Sequence, residues 1–108
     1  MESSKSITVV HKSKPLGKIP RFYCGRPSAL GNPFPMRGEQ DRDRVCDEFA
    51  VHLAERLSHA NNKTHTEFMK LVVAASKGSI EISCYCTPKR CHCDEIKNKI
   101  EEYLYGEI

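Results

Sequence analysis

The sequence predicts an α/β fold, a small sheet of about three strands flanked by about three helices in a Rossmann-like layered arrangement. Three observations lead there. Short β-branched or alternating runs at 7–10, 19–24 and 80–86 suit strands. Three longer stretches repeat apolar residues at helical spacing. The order strand, strand, long loop, helix, helix, strand, helix is that of a layer of helices against a short sheet.

The first strand is Ile7-Thr8-Val9-Val10, uncharged and β-branched, which suits burial. The second, 19–24, carries Phe22 and Tyr23 and ends at Gly25. Lys14-Pro15-Leu16-Gly17 between them is too short for a crossover helix. The two strands are therefore expected to be adjacent and antiparallel, or a strand and an irregular extended arm.

From 25 to 38, Gly25, Pro27, Gly31, Asn32, Pro33, Pro35 and Gly38 exclude regular structure. Leu30, Phe34 and Met36 point to a loop that packs down, and its prolines restrict the chain. Such a loop suits binding.

The stretch 40–57 sets Val45, Phe49, Leu53 and Leu57 four apart, the buried stripe of an amphipathic helix with Cys46 beside it as a small core residue. After a polar turn, Thr64 and Glu67 form an expected capping box for a helix whose stripe is Phe68, Leu71, Val72 and Ala75 and which Gly78 ends. The strand at 80–86 follows. Ile96, Ile100 and Leu104 mark a last helix, with Tyr103 and Tyr105 expected to cover its end. His52, His59 and His65 fall on helix surfaces or in the polar connection.

The chain of 108 residues, 39% hydrophobic, is the size of one domain. Its apolar runs fall short of the roughly 18 residues of a membrane span, and its start lacks a signal-peptide core. A soluble, cytoplasmic protein that makes no membrane contact is expected. There, six cysteines read as thiols, metal ligands or catalytic groups rather than a disulfide framework. The net charge of +3 is too small to announce a nucleic-acid binder, although the basic residues gather towards the start of the chain. The loop lacks the glycine signatures of an ATP-type phosphate loop or a dinucleotide site.

Chemistry concentrates at Cys84-Tyr85-Cys86-Thr87-Pro88-Lys89-Arg90-Cys91-His92-Cys93-Asp94, where a strand gives way to a helix. Period two places Cys84 and Cys86 on one face, and Pro88 ends the ladder. Cys91 to Asp94 enter the first turn of a helix, where the dipole favours thiolates and anions. If the strands ending near Cys24 and Cys86 run parallel, the two following loops converge at one sheet edge.

That convergence supports a pocket for a nucleotide, nucleoside or sugar phosphate. Gly25 admits a ligand to the backbone, Arg26 offers a forked donor, Ser28 and Asn32 add neutral hydrogen bonds, and Cys84 and Cys86 line the far side. The pocket would serve a small nucleotide-processing enzyme if Cys91 were a nucleophile with its pKa lowered by the helix start, Arg90 and His92, and if His92 and Asp94 supplied acid–base function. The alternative is a zinc-stabilised module in which Cys84, Cys86, Cys91 and either His92 or Cys93 hold the ion and the basic segment contacts nucleic acid. A small interaction protein, such as a phage factor acting on a host protein, is a further alternative.

The blocks Gly25-Arg26-Pro27-Ser28-Ala29-Leu30-Gly31-Asn32-Pro33-Phe34 and Cys84-Tyr85-Cys86-Thr87-Pro88-Lys89-Arg90-Cys91-His92-Cys93-Asp94 resemble those of the family known as domain of unknown function 4326, found in bacteria and their phages. Cys93 stands where relatives commonly carry glycine. The resemblance implies an α/β fold of unassigned activity. A looser likeness of the second block to domain of unknown function 488 is one of fold alone.

Overall fold

The computed structural model describes residues 6–26, 28–85 and 89–105. Strands β1 (Ile7–His11), β2 (Arg21–Tyr23) and β3 (Ile80–Cys84) form one sheet in the order β1-β3-β2. Both pairings are parallel, with Val9 opposite Ile82 and Phe22 opposite the same residue from the other side. Helices α1 (Arg42–Leu57), α2 (Lys63–Lys77) and α3 (His92–Tyr105) complete the α/β fold, and a short 3-10 turn, Glu39–Asp41, leads into α1.

The first two strands are thus neither adjacent nor antiparallel. Both flank β3, and the segment between them returns without a helix. Arg21 explains how: its guanidinium donates to the carbonyls of Lys14 and Pro15, pinning the returning chain, while its Nε meets Glu81 at 2.9 Å. Lys14 reaches the same carboxylate at 3.0 Å. An acidic residue in the central strand is thereby met by two cations, the condition under which a charge tolerates burial.

All five residues of β3 are buried, because the strand is central and both its faces are covered. Its alternation separates them: Ile80, Ile82 and Cys84 join the core beneath the helices, and Glu81 and Ser83 take the other face. The helical stripes enter that core as spacing four requires, Phe49 and Leu53 from α1, Phe68, Leu71 and Ala75 from α2, Ile96 and Ile100 from α3. Leu57, Val72 and Leu104 pack at its margin. Tyr103 sets its ring edge against Phe68 at 5.2 Å, but Tyr105 is exposed.

The start of α2 differs from the expected capping box. Asn62 is the cap, its side chain accepting from the His65 amide at 2.8 Å, two positions earlier than a Thr64 cap. Thr64 instead donates to the Ala29 carbonyl at 3.1 Å and ties α2 to the long loop.

Candidate functional site

Parallel strands deliver their following loops to one edge, and here the chain leaving β2 and the chain around the start of α3 meet. His92 donates from Nε2 to the Cys24 carbonyl at 2.6 Å, and the Cys24 amide donates to Ser83 at 2.9 Å. Between the two lies a cavity of about 320 Å³, at the lower end of the ~300–1,000 Å³ of small-molecule sites. Tyr23, Gly25, Arg26, Asn32, Phe34 and Met36 line it from the β2 side, Arg42, Val45 and Cys46 from α1, and Cys84, Tyr85, Cys91 and His92 from the β3–α3 junction. Arg26 and Cys91 therefore open onto the same hollow.

The long loop is held by its own side chains. Asn32 accepts from the Phe34 amide at 2.8 Å and donates to Val45 at 3.3 Å, fastening the loop to α1. Arg26 donates from Nε to the Asn32 carbonyl at 2.6 Å and from one terminal nitrogen to that of Phe34 at 3.0 Å. A guanidinium has five N–H donors, so these two bonds orient it and leave the others. Among the described residues no carboxylate pairs with Arg26. At Gly25 an added Cβ would collide with the Tyr23 ring, whose hydroxyl donates to the Arg26 carbonyl at 2.8 Å. Glycine here lets the ring close over the backbone.

A second cation stands at the rim. Lys12 donates to the Tyr85 hydroxyl at 2.7 Å and lies 4.9 Å from that ring and 5.2 Å from Tyr23. Its hydrogen bond holds the Tyr85 phenol below its ordinary pKa. Arg42, absent from the residues expected at the site, lines the cavity from α1 and donates to the Arg90 carbonyl at 2.9 Å while Glu39 holds its other edge. The sequence offered no motif for it; only a helix starting next to the loop brings it there.

Several expectations for the second block change. Arg90 turns from Cys91 to Asp43, Asp47 and Glu95, fastening α1 to α3. The Cys91 pKa moves up rather than down, to about 12, because its thiol meets that of Cys84 at 2.9 Å and both are buried. Asp94 accepts from the Cys91 amide at 3.1 Å, a helix-capping role, and is absent from the lining. His92 is buried against Phe49, ring centroids 5.1 Å apart, and burial lowers its pKa. It is therefore neutral at neutral pH, and the Nε2 bond leaves the lone pair on Nδ1. Ser28 lies outside this cavity and lines the far side of the loop with Asn61 and Asn62. Cys86 lies outside the described residues.

The cluster that does form joins Cys84, Cys91 and Cys93, all buried, with sulfurs within 4.8 Å of one another. Of the two expected alternatives, His92 or Cys93, it is Cys93 that joins Cys84 and Cys91. Cys24, Cys46 and these three are not joined in disulfides. No helix among the described residues is long and apolar enough to cross a membrane.

A family model described as "domain of unknown function (DUF4326)" matches residues 8–102, and the chain belongs to that family. No curated protein and no solved structure matches it.

Proposed function

We propose that this protein binds a small phosphorylated ligand of the nucleotide, nucleoside or sugar-phosphate class in the cavity between the 25–34 loop and the start of α3, in the cytoplasm. The observation that carries the reading is the Arg26 guanidinium, which has no carboxylate partner among the described residues and is fixed by two carbonyls at the mouth of a largely apolar hollow. Such a group matches the fork of a phosphate. Lys12 at the rim adds a second positive charge. Tyr23, Phe34 and Tyr85 supply flat walls of the kind a base or sugar face packs against.

Binding is better supported than turnover. Arg90 turns away from Cys91 to three carboxylates and Asp94 caps a helix, so the partners expected to activate that cysteine are engaged elsewhere. The competing nucleic-acid module needs a run of aromatic residues along a surface groove, whereas Tyr23 and Tyr85 stand edge to face at a single cavity.

The test is thermal unfolding of the purified chain against a panel of nucleoside mono-, di- and triphosphates and sugar phosphates. At least one is expected to raise the midpoint for the parent and for Ser28→Ala, and not for Arg26→Ala. No stabilisation across the panel, or an equal rise in Arg26→Ala, contradicts the proposal.

A further inference from the structure

Three cysteine sulfurs sharing one small buried volume need a reason beyond packing. Cys84 ends β3, Cys91 precedes α3 and Cys93 is the second residue of that helix, so strand and helix converge on one point. With metal–sulfur bonds of about 2.3 Å, a tetrahedral ion spaces its ligands about 3.8 Å apart. The cluster, within 4.8 Å throughout and with 2.9 Å between Cys84 and Cys91, brackets that edge.

We infer that Cys84, Cys91 and Cys93, the ligands brought together among the described residues, form a three-thiolate site for one thiophilic divalent cation of the zinc class, with its fourth position directed into the cavity. Two further observations support it. Cys84 and Cys91 line the cavity floor, which provides both an entry path and a direction for the open position. The thiolates stand at the amino terminus of a 14-residue helix, whose dipole offsets the single net negative charge of three thiolates around a divalent ion. Soft sulfur ligands select zinc and cadmium over magnesium or calcium. His92 is excluded through Nε2, which the Cys24 carbonyl occupies. Three protein ligands with one exchangeable position is the pattern of zinc sites that act on a bound molecule rather than closed structural ones. This inference does not depend on phosphate binding, since no sulfur here takes part in holding Arg26.

The experiment is titration of the reduced, metal-stripped full chain with Cd²⁺, following the thiolate-to-metal charge-transfer band, with Zn²⁺ as competitor. A saturable band at one ion per chain, displaced by Zn²⁺, is expected. It should disappear in Cys84→Ser, Cys91→Ser and Cys93→Ser, each confirmed folded by circular dichroism, and persist in Cys46→Ser, which removes a cavity thiol outside the cluster. X-ray absorption on the zinc-loaded parent, which needs no variant to fold, should show three sulfurs and one lighter atom. Absence of a one-to-one band, persistence of the band in folded Cys93→Ser, or a shell of four sulfurs overturns the site. Arg26→Ala should take up metal like the parent, so failure of the phosphate reading and failure of this one are told apart.

Discussion

The Nε2 of His92 lies 2.6 Å from the carbonyl oxygen of Cys24, and this bond ties the first turn of α3 to the end of β2. Two loops far apart in sequence, both bordering the cavity, are held at a fixed separation by it. A carbonyl only accepts, so the histidine donates and its tautomer is set.

His92→Ala removes that donor, strands a buried carbonyl and deletes the ring packed on Phe49. The combined cost should be roughly 2–4 kcal/mol. Urea unfolding of the variant checks this; a change within about 0.5 kcal/mol, the size of an inert surface substitution, would show that the bond does not hold the two elements together.

Glu81 provides the acid dependence. Its bonds to Lys14 and then Arg21 stabilise the carboxylate, so the folded-state pKa lies below the ordinary value of 4.5. A lowered folded pKa contributes stability that is present above the unfolded value and lost as pH falls through the folded one. Melting curves below about pH 4.5 should therefore show a loss of stability that Glu81→Gln lacks. Identical acid limbs in the two proteins would refute the assignment.

Gly25→Ala places a methyl group against the Tyr23 ring and forces the ring, whose hydroxyl bonds the Arg26 carbonyl, to shift. The expected outcome is loss of ligand-dependent stabilisation with the fold retained. Tyr23→Phe, which drops the hydroxyl but keeps the ring, should retain most of the response. An unchanged ligand response in Gly25→Ala would show that Tyr23 need not close over the loop.

The two candidate caps of α2 are separable. Asn62→Ala should cost about 1 kcal/mol as a lost N-cap, with more added by its two bonds to the Arg56 and His59 carbonyls. Thr64→Ala removes one link to the loop and should cost less in global unfolding while loosening 28–31 to hydrogen exchange. Equal effects on both measurements would contradict the distinction.

Much of this fold is readable in the sequence because the helices announce themselves. Phe49 and Leu53, or Ile96 and Ile100, can only share a face at helical period, and they do. The convergence of the Gly25–Phe34 and Cys84–Asp94 blocks follows from β2 and β3 being parallel. The sheet order was not legible, since it depends on Arg21 and Lys14 meeting Glu81 from 60 and 67 positions away. Pairing partners at that distance leave no local signature. The roles of polar residues were legible by type and hidden by direction. Asn32 and Asp94 fasten backbone, Ser28 lies behind the loop, and Arg90 faces α1, because each side chain's neighbours come from tertiary structure. Arg42 carries no local signal for the same reason: its place at the cavity arises from the packing of α1.

The central claim is that the hollow holding Arg26 and Cys91 receives a phosphorylated ligand. Backbone amide chemical-shift mapping by NMR tests it most directly, using the panel member that stabilises the protein most. Saturable shifts gathered at Tyr23 to Phe34, Arg42 to Cys46 and Cys84 to His92, and abolished in Arg26→Ala, are predicted. Shifts confined to the Asn61–Thr66 side of the loop, or spread evenly over the surface without saturation, would contradict it.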